Sequence, residues 1–368
     1  MGETRAAVQG GGLRVGGRLG AIGAGLRRAL ADRPELAGAA QELLRDKGLA
    51  HDHIRLVGTG WLARVPKQSQ MDLPAAENLA YQAACFRRAA AGGHVPRLLA
   101  VLAPADGLAH GALIVEEIVG RPARLPRDLP AIARALASLH ALPRPDTTAP
   151  LLAPADPLAA MAAEVAAQGA FLAEARLERA TRALVEREMA VLLALCAAPA
   201  RPATCLISFD AHPGNFLIRP DGGAVLVDLE KGRYGAPSLD LAHATLYTST
   251  TWDLESAAEL SVAEVAGFYA AWAAVPGVPA AAGWHVALRR AMWLWSVTWC
   301  AKWRVLSGAP KRQAADGEDW ADGEDWSAEA SDDALVAHVR GRVDHYLSPA
   351  VVARCVDELA DLERIVGG

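Results

Sequence analysis

The stretch from Cys205 to Ala242 reads CLISFDAHPGNFLIRPDGGAVLVDLEKGRYGAPSLDLA. Leu206-Ile207 is a short apolar run, and Asp210 stands just past its end. Pro213-Gly214 turns the chain, and Phe216-Leu217-Ile218 reads as a strand. Asp221-Gly222-Gly223 is a hairpin signal, followed by a second strand from Ala224 to Val227. Asn215 therefore enters one strand of a hairpin and Asp228 leaves the other, and the two ends of a hairpin lie close together. Asp210, Asn215 and Asp228 converge. Phosphoryl transfer uses such a set: one carboxylate that positions an attacking hydroxyl, and an amide and a second carboxylate whose oxygens hold Mg²⁺.

The run resembles the catalytic segment of the aminoglycoside phosphotransferase and choline kinase family, a branch of the protein-kinase-like fold. That family carries H-G-D-x-H-P-G-N, a hairpin, D-W/F-E, and then G-x-P-x-x-D-L-A. The pieces here are Ser208-Phe209-Asp210-Ala211-His212-Pro213-Gly214-Asn215, then Asp228-Leu229-Glu230, then Gly235-Ala236-Pro237 and Asp240-Leu241-Ala242. Ser208 stands for the first His of the pattern and Leu229 for the aromatic. The resemblance spans roughly residues 50 to 305. It implies an α+β, protein-kinase-like, two-lobed fold, with a small N-terminal sheet lobe and a large, mainly helical C-terminal lobe. The expected division is a flexible and helical N-terminal extension over 1–50, a nucleotide-binding lobe over 51–120, and a catalytic and acceptor-binding lobe over 121–368. The roles implied are Asp210 as the group that orients the hydroxyl and takes its proton, and Asn215 and Asp228 as Mg²⁺ ligands. Glu230 faces the metal or the acceptor, and Asp240 braces the catalytic loop. His212, Trp252 and Asp253 are further candidates for support or substrate contact.

In the N-terminal half, Leu residues at 19, 26, 30, 36, 43 and 44 give a helical period from Arg18 to Leu49, broken near Pro34. Ile54 to Val65 reads as two strands joined by Gly58-Thr59-Gly60, a turn that also suits a short phosphate-covering loop. Helix follows from Leu73 to Ala90, then strands over Val95 to Ala103 and Gly111 to Val119. Two cations compete for the nucleotide phosphates, Arg64 in Leu62-Ala63-Arg64-Val65-Pro66, which is slightly favoured, and Lys67 beyond the proline; strand alternation sends them to opposite faces if the strand continues past Pro66. Glu77, in the pattern Glu77-x-x-x-Tyr81, is the carboxylate expected to hold the cation. Leu113 to Gly120 resembles the family's hinge, where adenine would bond to backbone groups around Glu117 and Ile118. His140, at the end of a helix from Asp128 to Leu142, reads as a packing histidine.

The remainder is helical: two helices over Pro154 to Ala198 with a break near Gly169, then Val262 to Ala274 and Trp284 to Leu306. Trp295, Trp299 and Trp303 recur every four residues and share a helix face suited to core packing. Aromatic faces beside carboxylates also suit cationic ligands. Ala315-Asp-Gly-Glu-Asp-Trp320 repeats at Ala321 to Trp326, inside an expected acidic loop over 314–333.

Composition limits the function classes. The 368 residues are 52% hydrophobic, which excludes disorder throughout, and the net charge of −5 argues against a nucleic-acid partner. Five Cys show no metal spacing and suit reduced core thiols. With no apolar leader at the N-terminus and no run of 18 apolar residues, the expectation is a cytoplasmic chain without a membrane span. The expected activity is transfer of phosphoryl from ATP (or GTP), with Mg²⁺, to a hydroxyl of an aminoglycoside-, choline- or sugar-like molecule. A nucleotide-binding pseudokinase is the alternative, motivated by Ser208 and the short glycine turn.

Overall fold

The computed structural model describes residues 19–44, 50–307 and 333–366. The Gly-rich start, the end of the Leu-periodic segment at 45–49 and the acidic repeat lie outside the described residues. The chain forms two compact units, one built on residues 19–83 and 97–117, the other on 84–96, 118–307 and 337–366.

The first unit is an antiparallel sheet of five strands, β1 (Gln41–Leu43), β2 (His51–Leu56), β3 (Trp61–Pro66), β4 (Leu98–Leu102) and β5 (Ala112–Glu116), in the order β1-β2-β3-β5-β4. Residues 19–29 form helix α1. Its buried Ile22 and Leu26, with Leu30 and Leu36 beyond, join Ile54, Leu56, Ala63, Val65, Ala112 and Ile114 in one core. These sheet residues alternate along their strands, so they share one face. The helical period is correct over 19–29 and wrong over 30–44. Gly38, at φ +78°, turns the chain, and Gln41 and Leu43 then pair with Leu56 and Ile54 as an edge strand. Gly58 and Gly60, at φ +77° and +75°, make the tight turn between β2 and β3. Thr59 closes it, its hydroxyl donating to the Leu56 carbonyl at 2.7 Å.

The second unit is mainly helical. It contains α3 (Leu129–His140), α4 (Pro157–Gly169), α5 (Arg179–Ala197), α6 (Pro237–His243), α7 (Tyr247–Thr250), α8 (Val262–Ala273), α9 (His285–Ser307), most of α10 (Asp333–Tyr346) and α11 (Pro349–Val366). Helix α2 (Ala75–Ala89) begins in the first unit and ends in the second. The ends follow local chemistry. Asp156 caps α4 before Pro157, and Ser261 and Glu264 cap α8 reciprocally. Helix α9 packs against α4, α5, α6 and α11. Its Arg289 is fully buried and bonds Glu358 of α11 and both the hydroxyl (2.8 Å) and carbonyl (3.0 Å) of Thr245. Of the tryptophans in α9, Trp293 and Trp303 are buried, and Trp299 packs edge-on against Trp252.

Two small sheets carry the motif segment. Strands β6 (Arg121–Pro122), β8 (Phe216–Ile218) and β9 (Ala224–Leu226) form one, and β7 (Cys205–Ile207) with β10 (Arg233–Gly235) the other. The β8–β9 hairpin turns at Gly222, φ +85°, with the Gly223 N–H on the Asp221 carboxylate at 2.8 Å. All five cysteines are free. No helix among the described residues is long and apolar enough to cross a membrane.

Candidate active site

The loop after β7 is held from below by Asp240 of α6. This carboxylate is completely buried and accepts from the Ser208 N–H at 2.7 Å and the Phe209 N–H at 2.8 Å. His140 closes the arrangement. The Trp272 indole N–H donates to its Nδ1 at 3.0 Å, which places the ring proton on Nε2, 3.1 Å from Asp240 Oδ2. A buried anion with three donors is satisfied where a neutral group would not be. His140 is thus a packed and hydrogen-bonded histidine, and Asp240 a brace.

Phe209 stands at φ +60°, the left-handed region that costs a residue with a Cβ on the order of 1–2 kcal/mol. It occupies the place of the glycine in H-G-D, a departure more consequential than those at Ser208 and Leu229. The two Asp240 bonds hold it, and its buried ring lies between the Arg233 guanidinium, 3.8 Å from the centroid, and the edge of Trp295 at 5.3 Å. Ser208 takes part in the loop, its hydroxyl accepting from the Asp210 N–H at 3.1 Å.

Asp210 follows, with 13% of its side chain exposed. Lys231 Nζ lies 2.9 Å from its Oδ2, and His243 Nδ1 lies 3.9 Å from its Oδ1. Burial pushes this carboxyl up, but the charge of Lys231, with His212 and His243, outweighs burial and holds it below the ordinary range. Burial pushes Lys231 down, yet Asp210 and Glu230 keep its ammonium above the usual value. His212 is lowered and His243 pushed down to about 4 by burial. His285, stacked on Tyr269 and bonded to Ser238, is also pushed down to about 4 by burial.

The last two histidines give a pH dependence. Their folded values lie below the ordinary 6.5, so the unfolded chain binds more protons between pH 6.5 and 4. Stability is complete above pH 6.5 and falls as pH drops towards 4, by roughly 1.4 kcal/mol per pH unit for each histidine. Denaturant midpoints measured at pH 7, 6 and 5 test this, and a flat response across that window contradicts it.

Asn215 and Asp228 sit at the ends of the hairpin, and the Val227 N–H bonds the Asn215 carbonyl at 2.9 Å. The Asn215 amide nitrogen donates to the Asp210 carbonyl at 2.8 Å, which leaves the amide oxygen for a cation. An amide oxygen and a carboxylate form a hard-donor set that fits Mg²⁺. The Asp228 carboxylate accepts from the Glu230 N–H at 3.3 Å, and Glu230 is buried. Asp253 packs against the turn so closely that a Cβ on Gly214 would stand 2.7 Å from its Oδ2. Trp252 stacks on Tyr346 and meets Trp299 and His338 edge-on, inside an aromatic cluster.

In the first unit, the β2–β3 register puts Arg64 opposite His53 on the face away from the α1 core. Arg64 Nη2 lies 3.4 Å from His51 Nδ1, and His51 Nε2 lies 3.0 Å from the Gln82 side-chain oxygen. Lys67, just past β3, is 3.9 Å from Asp52. Glu77 is exposed in the first turn of α2 and makes no ion pair among the described residues, whereas Gln82 of α2 reaches Arg64 through His51. The Glu117 N–H donates to the Gly60 carbonyl at 2.9 Å, and its carboxylate takes Arg55 at 2.6 Å. Ile118 is half-buried in the irregular segment after β5.

Four participants are absent from the sequence reading. Lys231 directly follows Asp-Leu-Glu, and a cation next to a paired-carboxylate motif was the available signal. His243, one turn after Asp240, carries a helical spacing that points the same way. Gln82 and His51 become visible only when β2 and α2 are brought together.

Residues 42–284, more than half of the chain, match the profile of a phosphotransferase enzyme family (APH). No curated protein matches the chain. Among solved structures, a choline/ethanolamine kinase family protein from Mesorhizobium loti is similar at 20% identity, with 92% of this chain and 99% of that chain covered and a TM-score of 0.55. The macrolide 2′-phosphotransferase MphH from Brachybacterium faecium is similar at 17% identity, covering 88% and 98%, with a TM-score of 0.51. The choline kinase of Cryptosporidium parvum Iowa II is similar at 13% identity, covering 94% and 97%, with a TM-score of 0.54. At these identities the structural likeness is one of fold.

Proposed function

The chain belongs to the phosphotransferase enzyme family, and from that premise we propose that it transfers the terminal phosphoryl group of ATP or GTP to a hydroxyl of a small molecule. The observation that carries this reading is Asp210, a carboxylate kept ionised beside Lys231 on a loop that Asp240 holds in a strained conformation. The acceptor oxygen forms a new bond to phosphorus, the bond from that phosphorus to the departing nucleoside diphosphate breaks, and the hydroxyl proton passes to Asp210. Asn215 and Asp228 are the residues that would hold Mg²⁺, which supplies charge neutralisation on the phosphates. Arg64 is assigned to the phosphates in preference to Lys67, because Lys67 lies past the end of β3 with its ammonium buried 3.9 Å from Asp52. His51 and Gln82 position Arg64 in the role first given to Glu77. Glu117 and Ile118 are assigned to the base.

Calorimetric titration with Mg-ATP, followed by nucleoside diphosphate release across a panel of hydroxyl acceptors, tests the proposal. Asp228→Asn is expected to weaken Mg-nucleotide binding by at least roughly tenfold, since even outer-shell partners of a metal cost that much. No nucleotide binding by the unaltered chain sinks the reading. Binding without turnover of any acceptor favours the pseudokinase alternative. Against that alternative, the Ser208 hydroxyl supports the catalytic loop rather than leaving it unsupported.

A further inference from the structure

We propose that Lys231 is a positioning residue for phosphoryl transfer: its ammonium pins one oxygen of the Asp210 carboxylate, so that the other oxygen is the one presented to the acceptor hydroxyl. The inference rests on the phosphotransfer reading and adds to it a residue that lies outside the motif positions.

A carboxylate has two equivalent oxygens, and the torsion that turns it is broad and roughly two-fold. A base held only through its backbone has no fixed oxygen, whereas proton transfer needs one within hydrogen-bond reach of the hydroxyl. The backbone N–H and carbonyl of Asp210 are tied to Ser208 and Asn215, which leaves the carboxylate itself to be oriented. Among the described residues, the one hydrogen bond that this carboxylate accepts comes from Lys231 Nζ, 2.9 Å from Oδ2. Oδ1 is left without such a bond: His243 Nδ1 stands 3.9 Å from it, beyond hydrogen-bond reach. Neither partner is sealed in, since 16% of the Lys231 side chain and 13% of the Asp210 side chain are exposed.

Lys231 is itself fixed at both ends. Its carbonyl accepts from Arg233 Nε at 3.2 Å. Its ammonium lies 5.7 Å from the centre of the Trp295 ring, whose face attracts a cation. One carboxylate, Glu164 of α4, ties these two supports together. It takes Arg233 on Oε1 at 2.6 Å and the Trp295 indole N–H on Oε2 at 3.1 Å. An ion pair alone seldom offsets the rotamer entropy that an ordered lysine loses. Here the aromatic face and the backbone bond favour the same placement, so Asp210 Oδ2 meets a fixed cation. Lys231 also stands three residues past Asp228, so the segment that leaves the hairpin with a metal ligand goes on to carry the clamp on the base.

A double-mutant cycle tests this, with ADP release from Mg-ATP measured for kanamycin, choline and glucose as acceptors and for water alone. Lys231→Met is expected to lower kcat by roughly 100-fold, the effect of misplacing a reacting group by about 1 Å, while KM for Mg-ATP stays unchanged. Lys231→Arg, which returns a cation and a donor to Oδ2, should recover part of that loss. In the Asp210→Asn background, Lys231→Met should lower kcat no further, because the two side chains act as one unit. If Lys231→Met does not fold, Lys231→Ala, which lets water reach the freed carboxylate, takes its place in the same cycle. Losses that multiply in the double variant overturn the proposal, since Lys231 would then act on the phosphoryl group or on the fold and not through Asp210. An unchanged kcat in the single variant overturns it as well. Either result leaves the phosphotransfer reading standing, whereas no ADP release by the unaltered chain with any acceptor overturns that reading and this inference with it.

Discussion

Asp210→Asn should lower kcat by roughly 10²- to 10⁴-fold, the usual worth of a general base, while nucleotide affinity and melting temperature stay close to those of the unaltered chain. The separation of effects follows from how the residue is held. Its backbone N–H is bound to the Ser208 hydroxyl and its carbonyl to the Asn215 amide, so neither loop contact uses the carboxylate. Asn keeps the shape and removes only the charge and the proton acceptor. Lys231 loses its partner but retains the charges of Glu230 and Asp228. Steady-state kinetics with a turned-over acceptor, together with a thermal melt, check the result. Unchanged turnover would remove Asp210 from the role of base, and a collapse of nucleotide binding would mean that it belongs to the metal site instead.

What could be read from the sequence was whatever local spacing dictates. The hairpin from Phe216 to Leu226 is set by Asp221-Gly222-Gly223, and strands β2 and β3 by Gly58-Thr59-Gly60, because positive φ at a tight turn leaves few choices of residue. Helices α3, α8 and α9 follow from their apolar period, and α8 also from the Ser261–Glu264 cap. Residues 41–43 were misread because two leucines at helical spacing mean little in a stretch that pairs with a neighbouring strand; the backbone bonds of β2 decide, and they are not local. Helices α10 and α11 were not read at all. In the site, Asp210, Asn215, Asp228 and Asp240 came from a contiguous motif. Lys231, His243 and Trp295 are brought to Asp210 from the end of the hairpin, from α6 and from α9, and only packing reveals that convergence. Glu77 shows the reverse: a suitable spacing on α2, with the side chain in solvent.

Asp240→Asn should be damaging in both stability and rate, although it removes one charge far from any reacting atom. The carboxylate presents one oxygen to the Phe209 N–H and the other to the Ser208 N–H and His140. Asn offers one oxygen and one NH₂. Whichever way it turns, a donor faces a donor, and a buried N–H is left unpaired at about 1–3 kcal/mol, on top of the charge-assisted bond that is lost. The expected destabilisation is roughly 3 kcal/mol or more. That bond also opposes the tendency of Phe209 to leave φ +60°, so its loss lets the loop relax and moves Asp210. Misplacement of a reacting group by about 1 Å costs on the order of 100-fold in rate, so kcat should fall steeply while nucleotide binding by the first unit's residues is spared. Denaturant unfolding and kcat measured on the same preparation distinguish the possibilities. Lower stability with wild-type kcat would make Asp240 a core residue and nothing more. A fall in kcat that Phe209→Gly partly restores would establish that the brace acts through the backbone conformation it enforces, since glycine adopts φ +60° without strain.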